Sequence, residues 1–251
     1  MWGSLQPWLA TCGADVWCLQ EVTRTHGLTG WTTFEDAERR LPQRANLFDD
    51  VRLVLPRHRA DFVASDSGPV RAEDRTIHRQ EFGLAMFVEQ SLTVVDHRVS
   101  FVHGEFVEHQ VWTTSDRPRI AQGCQIVGDL PVSVAVVQVH GLRDPAGKGD
   151  TPARRRQAER LVAFVRDLRP DPGITVVCGD FNLLPDSDTF EQLAAIGLTD
   201  LVGRADTRST RYTKSVRHAS YLLVSDPDAV RGFEIVASPE VSDHRPLVLD
   251  L

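Results

Sequence analysis

Ile174-Thr175-Val176-Val177-Cys178-Gly179-Asp180-Phe181-Asn182-Leu183-Leu184-Pro185-Asp186-Ser187 is the stretch on which the fold of this chain turns. A run of β-branched residues meets an abrupt turn, and the segment after it carries a helix-start signal. The pattern predicts a buried strand that delivers an acid, Asp180, and an amide, Asn182, into a cleft. In a sheet flanked by helices, functional groups collect just beyond the carboxyl ends of strands. Other strand ends bearing polar side chains are therefore candidates for the same cleft.

The neighbours of this strand read as helices. Upstream, Thr151 caps a helix with Pro152 at its first position, where a missing N–H costs nothing. Ala158, Leu161, Val162, Val165 and Leu168 share one face of that helix and Pro170 stops it. Arg154-Arg155-Arg156 is placed on its solvated face rather than at a phosphate. Downstream, Ser187 or Asp188 caps a short helix with Phe190, Leu193 and Ala194 inward, ending at Gly197.

Farther out, residues 4 to 12 read as a helix ending near Gly13, and Asp15 to Val22 as a buried strand. Glu21 lies at its far end, either as a member of the cleft or as a solvated acid. A helix is expected over Phe34 to Leu41 and a turn at Ser65-Asp66-Ser67-Gly68-Pro69. Phe82 to Val88 and Leu92 to Val99, separated by Glu89-Gln90-Ser91, read as consecutive strands. Arg119 to Val127 and Val132 to Val139, joined around Gly128-Asp129, read as another such pair. Adjacent short strands imply antiparallel pairing and hence a mixed sheet.

The second pair ends at His140, a structural or a catalytic histidine, which opens into the Gly-rich loop Asp144 to Asp150. The polar segment Asp206 to Lys214 leads to a strand over Ala219 to Ser225. Ser242-Asp243-His244-Arg245 precedes a final strand, Pro246 to Leu251; in a loop, Asp243 and His244 can both face one cleft.

Bulk composition narrows the function. With 251 residues, 41% of them hydrophobic, and no evident linker, the chain reads as a single domain over 1–251. A net charge of −7 weighs against a protein that grips long nucleic acid by neutralising many phosphates. A small phosphorylated substrate fits that balance more easily. Cys12, Cys18, Cys124 and Cys178 form no tight pairs and read as reduced core residues. Neither a signal peptide nor a run of ~18 apolar residues is visible, so no membrane span and a cytoplasmic location are expected.

Glu21, His140, Asp180, Asn182, Asp243 and His244 each fall at a strand end or just before a strand. Hard carboxylates of this kind suit Mg2+ or Mn2+, whereas zinc favours a denser histidine or cysteine set. Phosphoryl chemistry uses such parts: a cation to draw charge from phosphate oxygens, a base for water, and donors around the in-line transition state.

At Leu19-Gln20-Glu21-Val22, Val139-His140-Gly141-Leu142, Gly179-Asp180-Phe181-Asn182 and Ser242-Asp243-His244-Arg245-Pro246 the chain resembles the endonuclease/exonuclease/phosphatase superfamily. The superfamily includes apurinic endonucleases, pancreatic-type deoxyribonucleases, inositol-polyphosphate phosphatases and neutral sphingomyelinases. The four pieces stand in the family's order and are spread over most of the chain. The resemblance implies an α/β (α+β) four-layer sandwich, two mixed β-sheets packed face to face with helices outside, and phosphoester hydrolysis with a divalent metal.

It also implies roles. Glu21 looks like the principal metal ligand and Asp243 like a second metal-associated acid. Asp180 looks like the group that orients or deprotonates the attacking water, and Asn182 like the holder of a phosphate oxygen. His244 looks like an imidazole that contacts the phosphate or shares the base role. His140 looks like a donor to the phosphate or leaving group, a neutral-to-cationic histidine whose protonation changes near working pH.

Two departures from the family pattern stand out. The family begins with a strand bearing an Asn that supports the metal-binding acid, whereas this chain starts at the following helix, so a first core strand and a site residue are expected to be absent, either because the true start lies upstream or because this is a shortened form. At Ala219-Ser220-Tyr221 the family has Asp where this chain has Ser220, which brings no charge to support an imidazolium at His244. The expected activity is a phosphodiesterase on a small phosphorylated substrate. The alternatives are a DNA endonuclease or exonuclease of the same superfamily, and an impaired member that binds a phosphorylated ligand or a protein partner.

Overall fold

A computed structural model of the chain describes residues 1–128 and 132–251, so the turn expected around Gly128-Asp129 lies partly outside the described residues. The elements in order are α1 (Trp2–Cys12), β1 (Val16–Arg24), β2 (Trp31–Glu35), β3 (Arg40–Arg44), α2 (Leu47–Val54), β4 (His58–Ala72) and β5 (Ile77–Glu89). They continue with β6 (Thr93–His103), β7 (Val107–Glu108), β8 (Arg119–Val127), β9 (Ser133–His140), α3 (Pro152–Leu168), β10 (Gly173–Asp180) and α4 (Asp188–Ala194). The chain ends with β11 (Thr199–Asp200), β12 (Ser220–Val224), β13 (Gly232–Ile235) and β14 (Leu247–Asp250).

One sheet has the order β1-β5-β4-β2-β3 with β7 beside β4, and the other β11-β12-β10-β9-β8-β6. Both are mixed: β4 and β7 are parallel in the first, β9 and β10 in the second, and the remaining pairs are antiparallel. Side chains alternate across the pleat, which divides β5 between two cores. Met86 and Val88 face the second sheet with Cys124, Val134, Val136 and Leu222, whereas Ala85 and Phe87 face α1 and α2 with Leu9 and Val51. Leu161, Val165 and Leu168 of α3 close the far side of the second sheet. The layers thus run helix, sheet, sheet, helix, as the family resemblance implies.

The helix ends follow local chemistry. Gly13 ends α1 in the left-handed conformation, with φ 75. Thr151 caps α3 by accepting from the Arg154 N–H, with Pro152 in its first turn, and Ser187 caps α4 by accepting from the Thr189 N–H.

Four expectations fail, each for a tertiary reason. Phe34 to Leu41 is not a helix but part of the β2–β3 hairpin: Phe34 packs 5.2 Å from the Trp112 ring, and Thr32 pairs with Ala72 of β4. Ser65 to Pro69 is not a turn but the middle of β4, where the buried Asp66 carboxylate accepts from Arg117 (2.6 and 2.8 Å). A carboxylate paired in this way outweighs local turn preference, and a bulge between Ala64 and Asp66 absorbs the irregularity. β5 and β6 do not pair, because β1 and β4 occupy both edges of β5 and β6 crosses to the second sheet beside β8. Arg154 is not solvated but 1% exposed. Its Nη2 donates to the carbonyls of Leu142 and Asn182, both at 3.1 Å.

Candidate active site

Three strand ends form one row. β9 and β10 run parallel with His140 beside Asp180, and β12 runs antiparallel to β10 with Ser220 on the other side of Asp180. Close backbone approach makes the row possible. A Cβ at Gly179 would lie 2.0 Å from the Val139 carbonyl oxygen, and one at Gly141 would lie 2.1 Å from that of Phe181. The chain then turns at Asn182, whose φ of 54 lies in the left-handed region that Asn tolerates. The Asn182 N–H donates to Asp180 Oδ1 at 2.9 Å and its Nδ2 to the Gly141 carbonyl at 3.2 Å. Arg154 fastens the same two loops from behind, through the carbonyls of Leu142 and Asn182.

His244 arrives from the loop before β14. Its Nδ1 is 2.7 Å from Ser220 Oγ and its Nε2 is 3.4 Å from Asp180 Oδ2. Nε2 is also contacted by Nη1 of Arg208, a guanidinium that donates to Asp243 Oδ2 at 2.8 Å. Assigned from these partners, the ring accepts at Nε2 and donates its Nδ1 proton to Ser220.

Glu21 stands across the row on the first sheet. A bulge between Leu19 and Val22 and a φ of 58 at Glu21 turn its side chain outward, where it is 66% exposed and its Oε1 is 4.0 Å from His140 Nε2. The preceding residue anchors it: Gln20 Nε2 donates to Gln138 Oε1 at 2.8 Å, and Gln138 Nε2 donates to Gln122 Oε1 at 2.8 Å. This chain of amides joins the two sheets beneath the site and sets Glu21 opposite His140.

The expected site residues Glu21, His140, Asp180, Asn182, Ser220, Asp243 and His244 are thereby linked through the row and its two flanking loops. One expectation is corrected. Burial, reinforced by Arg119 and Arg117, holds His140 well below the usual histidine pKa. The ring is therefore neutral at working pH and can donate only as a neutral imidazole.

The positive side of the site is missing from the sequence reading. Arg208 sits in what reads as an ordinary polar segment, and Arg154 on what reads as a solvated helix face. Arg119 donates to the Gly141 carbonyl at 2.9 Å, and burial lowers its pKa to about 10. Lys148, from the Gly-rich loop, donates to the His218 carbonyl. Burial lowers its pKa to about 8 against the supporting charge of Asp180. Composition offers no signal for these cations, since only the topology sets Arg208, Arg119 and Lys148 near Asp180 and Arg154 behind its loops.

One residue, Glu21, is open to a divalent cation. Glu21 offers exposed hard oxygens, and its nearest imidazole is neutral, an arrangement suited to an ion that keeps most of its waters. Asp243 does not fit as a second such position, because its Oδ2 is already held by the guanidinium. Among the described residues no three His, Cys, Asp or Glu side chains gather around one point.

The model of the Endonuclease/Exonuclease/phosphatase family matches residues 1–244. The chain belongs to this family. Among solved structures, the endonuclease/exonuclease/phosphatase from Bacteroides vulgatus is 19% identical, with a TM-score of 0.65 over 99% of this chain and 90% of that one. The mannosyl-6-phosphatase of Bacteroides thetaiotaomicron is 15% identical, with a TM-score of 0.65 over 99% of this chain and 91% of that one. ANGEL2, a 2',3'-cyclic phosphatase solved with adenosine-2',3'-vanadate, is 15% identical, with a TM-score of 0.62 over 99% of this chain and 86% of that one. At these identities the structural likeness is one of fold. A search of curated protein sequences returns no significant match. Membership makes the chain one of a superfamily of phosphoesterases, and no helix among its described residues is long and apolar enough to cross a membrane.

Proposed function

We propose that this protein is a divalent-cation-dependent phosphoester hydrolase, a phosphodiesterase for a small phosphorylated substrate. The observation that carries the reading is the row His140, Asp180 and Ser220, with Asn182 and His244 at the same end. The named activities of the mannosyl-6-phosphatase and the cyclic phosphatase among its structural neighbours support small substrates.

Each residue has a part. Asp180 Oδ1 is oriented by the Asn182 N–H, which leaves Oδ2 to align a water and take its proton. The Asn182 side chain, fixed against the Gly141 carbonyl, has a second N–H for a phosphate oxygen. Neutral His140 donates to the phosphate or leaving group, and His244, 3.4 Å from Asp180 Oδ2, lines the other flank and shares the base role. A Mg2+ or Mn2+ ion held by Glu21 would draw charge from the phosphate oxygens.

The test is a panel of phosphomonoesters, linear and cyclic phosphodiesters and DNA, assayed with Mg2+ or Mn2+. Turnover that is lost in Asp180→Ala and Glu21→Ala supports the reading. Turnover that persists in both, or in chelator, refutes it. A second reading is a phosphate-binding member with little turnover. Ser220 in the family's acid position and the arginine on Asp243 favour it, and it predicts binding without hydrolysis across the panel.

A further inference from the structure

Arg208 is built into the site. On one side of it, the Ser209 N–H donates to the Asp243 carbonyl at 3.0 Å; on the other, the Arg245 N–H donates to the Thr207 carbonyl at 2.9 Å. An isolated antiparallel bridge joins Arg208 to His244, and Arg217 Nη2 donates to the Arg208 carbonyl at 2.8 Å. Tyr212 stacks on the guanidinium with 4.2 Å from its Cζ to the ring centroid. The side chain is 6% exposed, so its conformational entropy is already spent and its charge already desolvated.

Its hydrogen bonding is nonetheless incomplete. Nη1 serves Asp243 and His244, Nη2 faces Asp180 Oδ2 at 4.0 Å, too far for a hydrogen bond, and Nε has no partner among the described residues. A buried guanidinium with unused donors, set between two acids at the mouth of a phosphoesterase fold, matches the fork geometry of a phosphate. The same charge repels a divalent cation from Asp243. Glu21, on the opposite flank, has no such partner among the described residues.

We propose that Arg208 is the resident cation of this site, standing in place of a second metal ion at Asp243 and gripping the phosphate of the ligand directly. The ligand class rests on the phosphoester reading above. The role of Arg208 does not require turnover, because phosphate binding alone expresses it.

Two measurements on the full chain test this. The first is titration of inorganic phosphate in excess chelator, followed by calorimetry. Wild type binds, Arg208→Ala binds at least tenfold more weakly, and Arg208→Lys falls between, because an ammonium keeps the charge without the fork. The second is the count of Mn2+ bound, from the loss of the free-ion electron paramagnetic resonance signal. Wild type and Arg208→Lys take one ion, which Glu21→Gln removes, and Arg208→Ala takes two. Should Arg208→Ala fail to fold, the lysine variant still decides, through weakened phosphate binding at an unchanged count of one.

Two ions in wild type, no phosphate binding in chelator, or phosphate affinity indifferent to Arg208→Lys overturns the proposal. Phosphoester hydrolysis with Arg208-indifferent binding refutes this inference and leaves the functional reading intact. Arg208-dependent phosphate binding without hydrolysis does the reverse.

Discussion

Ser220→Asp should raise the metal-supported hydrolysis rate about tenfold. In the present site Ser220 Oγ accepts the Nδ1 proton of His244 at 2.7 Å, a bond between neutral groups. Such bonds contribute about 1 kcal/mol net, and bonds to a charged partner about 1.5–3 kcal/mol. A carboxylate would therefore favour the imidazolium over the neutral ring by about 0.5–2 kcal/mol, whose middle corresponds to about a tenfold change in their ratio. His244 Nε2 also lies 3.4 Å from Asp180 Oδ2, so a ring protonated there can turn to that acid once Arg208 Nη1 gives up its contact with Nε2.

Opposing terms act on stability. Ser220 is directly opposite Asp180 in the β10–β12 register, where like charges repel by up to about 1 kcal/mol, and it is buried, so desolvation adds to the cost. A fall of a few degrees in Tm is expected for a chain of this size. The assay is steady-state hydrolysis of a generic phosphodiester with Mg2+, together with NMR of the His244 ring and a thermal melt. A folded variant that shows more imidazolium and no faster turnover would refute the idea that a charged His244 assists turnover.

Two further outcomes are expected. Arg154→Ala removes the donor from the carbonyls of Leu142 and Asn182 and should destabilise the fold by about 2–4 kcal/mol, measured by urea unfolding. A loss below about 0.5 kcal/mol, the range of ordinary surface changes, would show that water replaces the arginine. Lys148 titrates at about 8, depressed chiefly by burial, so its positive charge is present below that pH and lost above it. KM should accordingly rise as pH passes through about 8, and Lys148→Gln should remove that inflection. An inflection that survives the substitution would assign it to another group.

Much of the fold was legible because it depends on local pattern. The β-branched run Ile174 to Val177, the Thr151-Pro152 cap and the Ser187 cap report conformations decided within a few residues. The acids and imidazoles were legible for a related reason: His140 and Asp180 end β9 and β10, a local feature, whereas Glu21 sits at a bulge inside β1 rather than at the expected strand end and His244 in the loop before β14. The hairpin at Phe34 and the long β4 through Ser65 to Pro69 were not, because Trp112 and Arg117, far along the chain, outweigh local preference there.

What the sequence by itself determined is the order of elements and the identity of the polar groups delivered to the mouth of the sheets. Tertiary structure alone decided which strands share a sheet, since β5 has its edges taken by β1 and β4 and must release β6 to the other layer. It alone decided the charge balance too. Arg154 and Arg208 look like solvated residues in any local window, yet packing buries both against unpaired carbonyls and carboxylates. The physical reason is that secondary structure answers to neighbours a few residues away, whereas desolvation and ion pairing answer to whatever the fold brings within hydrogen-bonding distance.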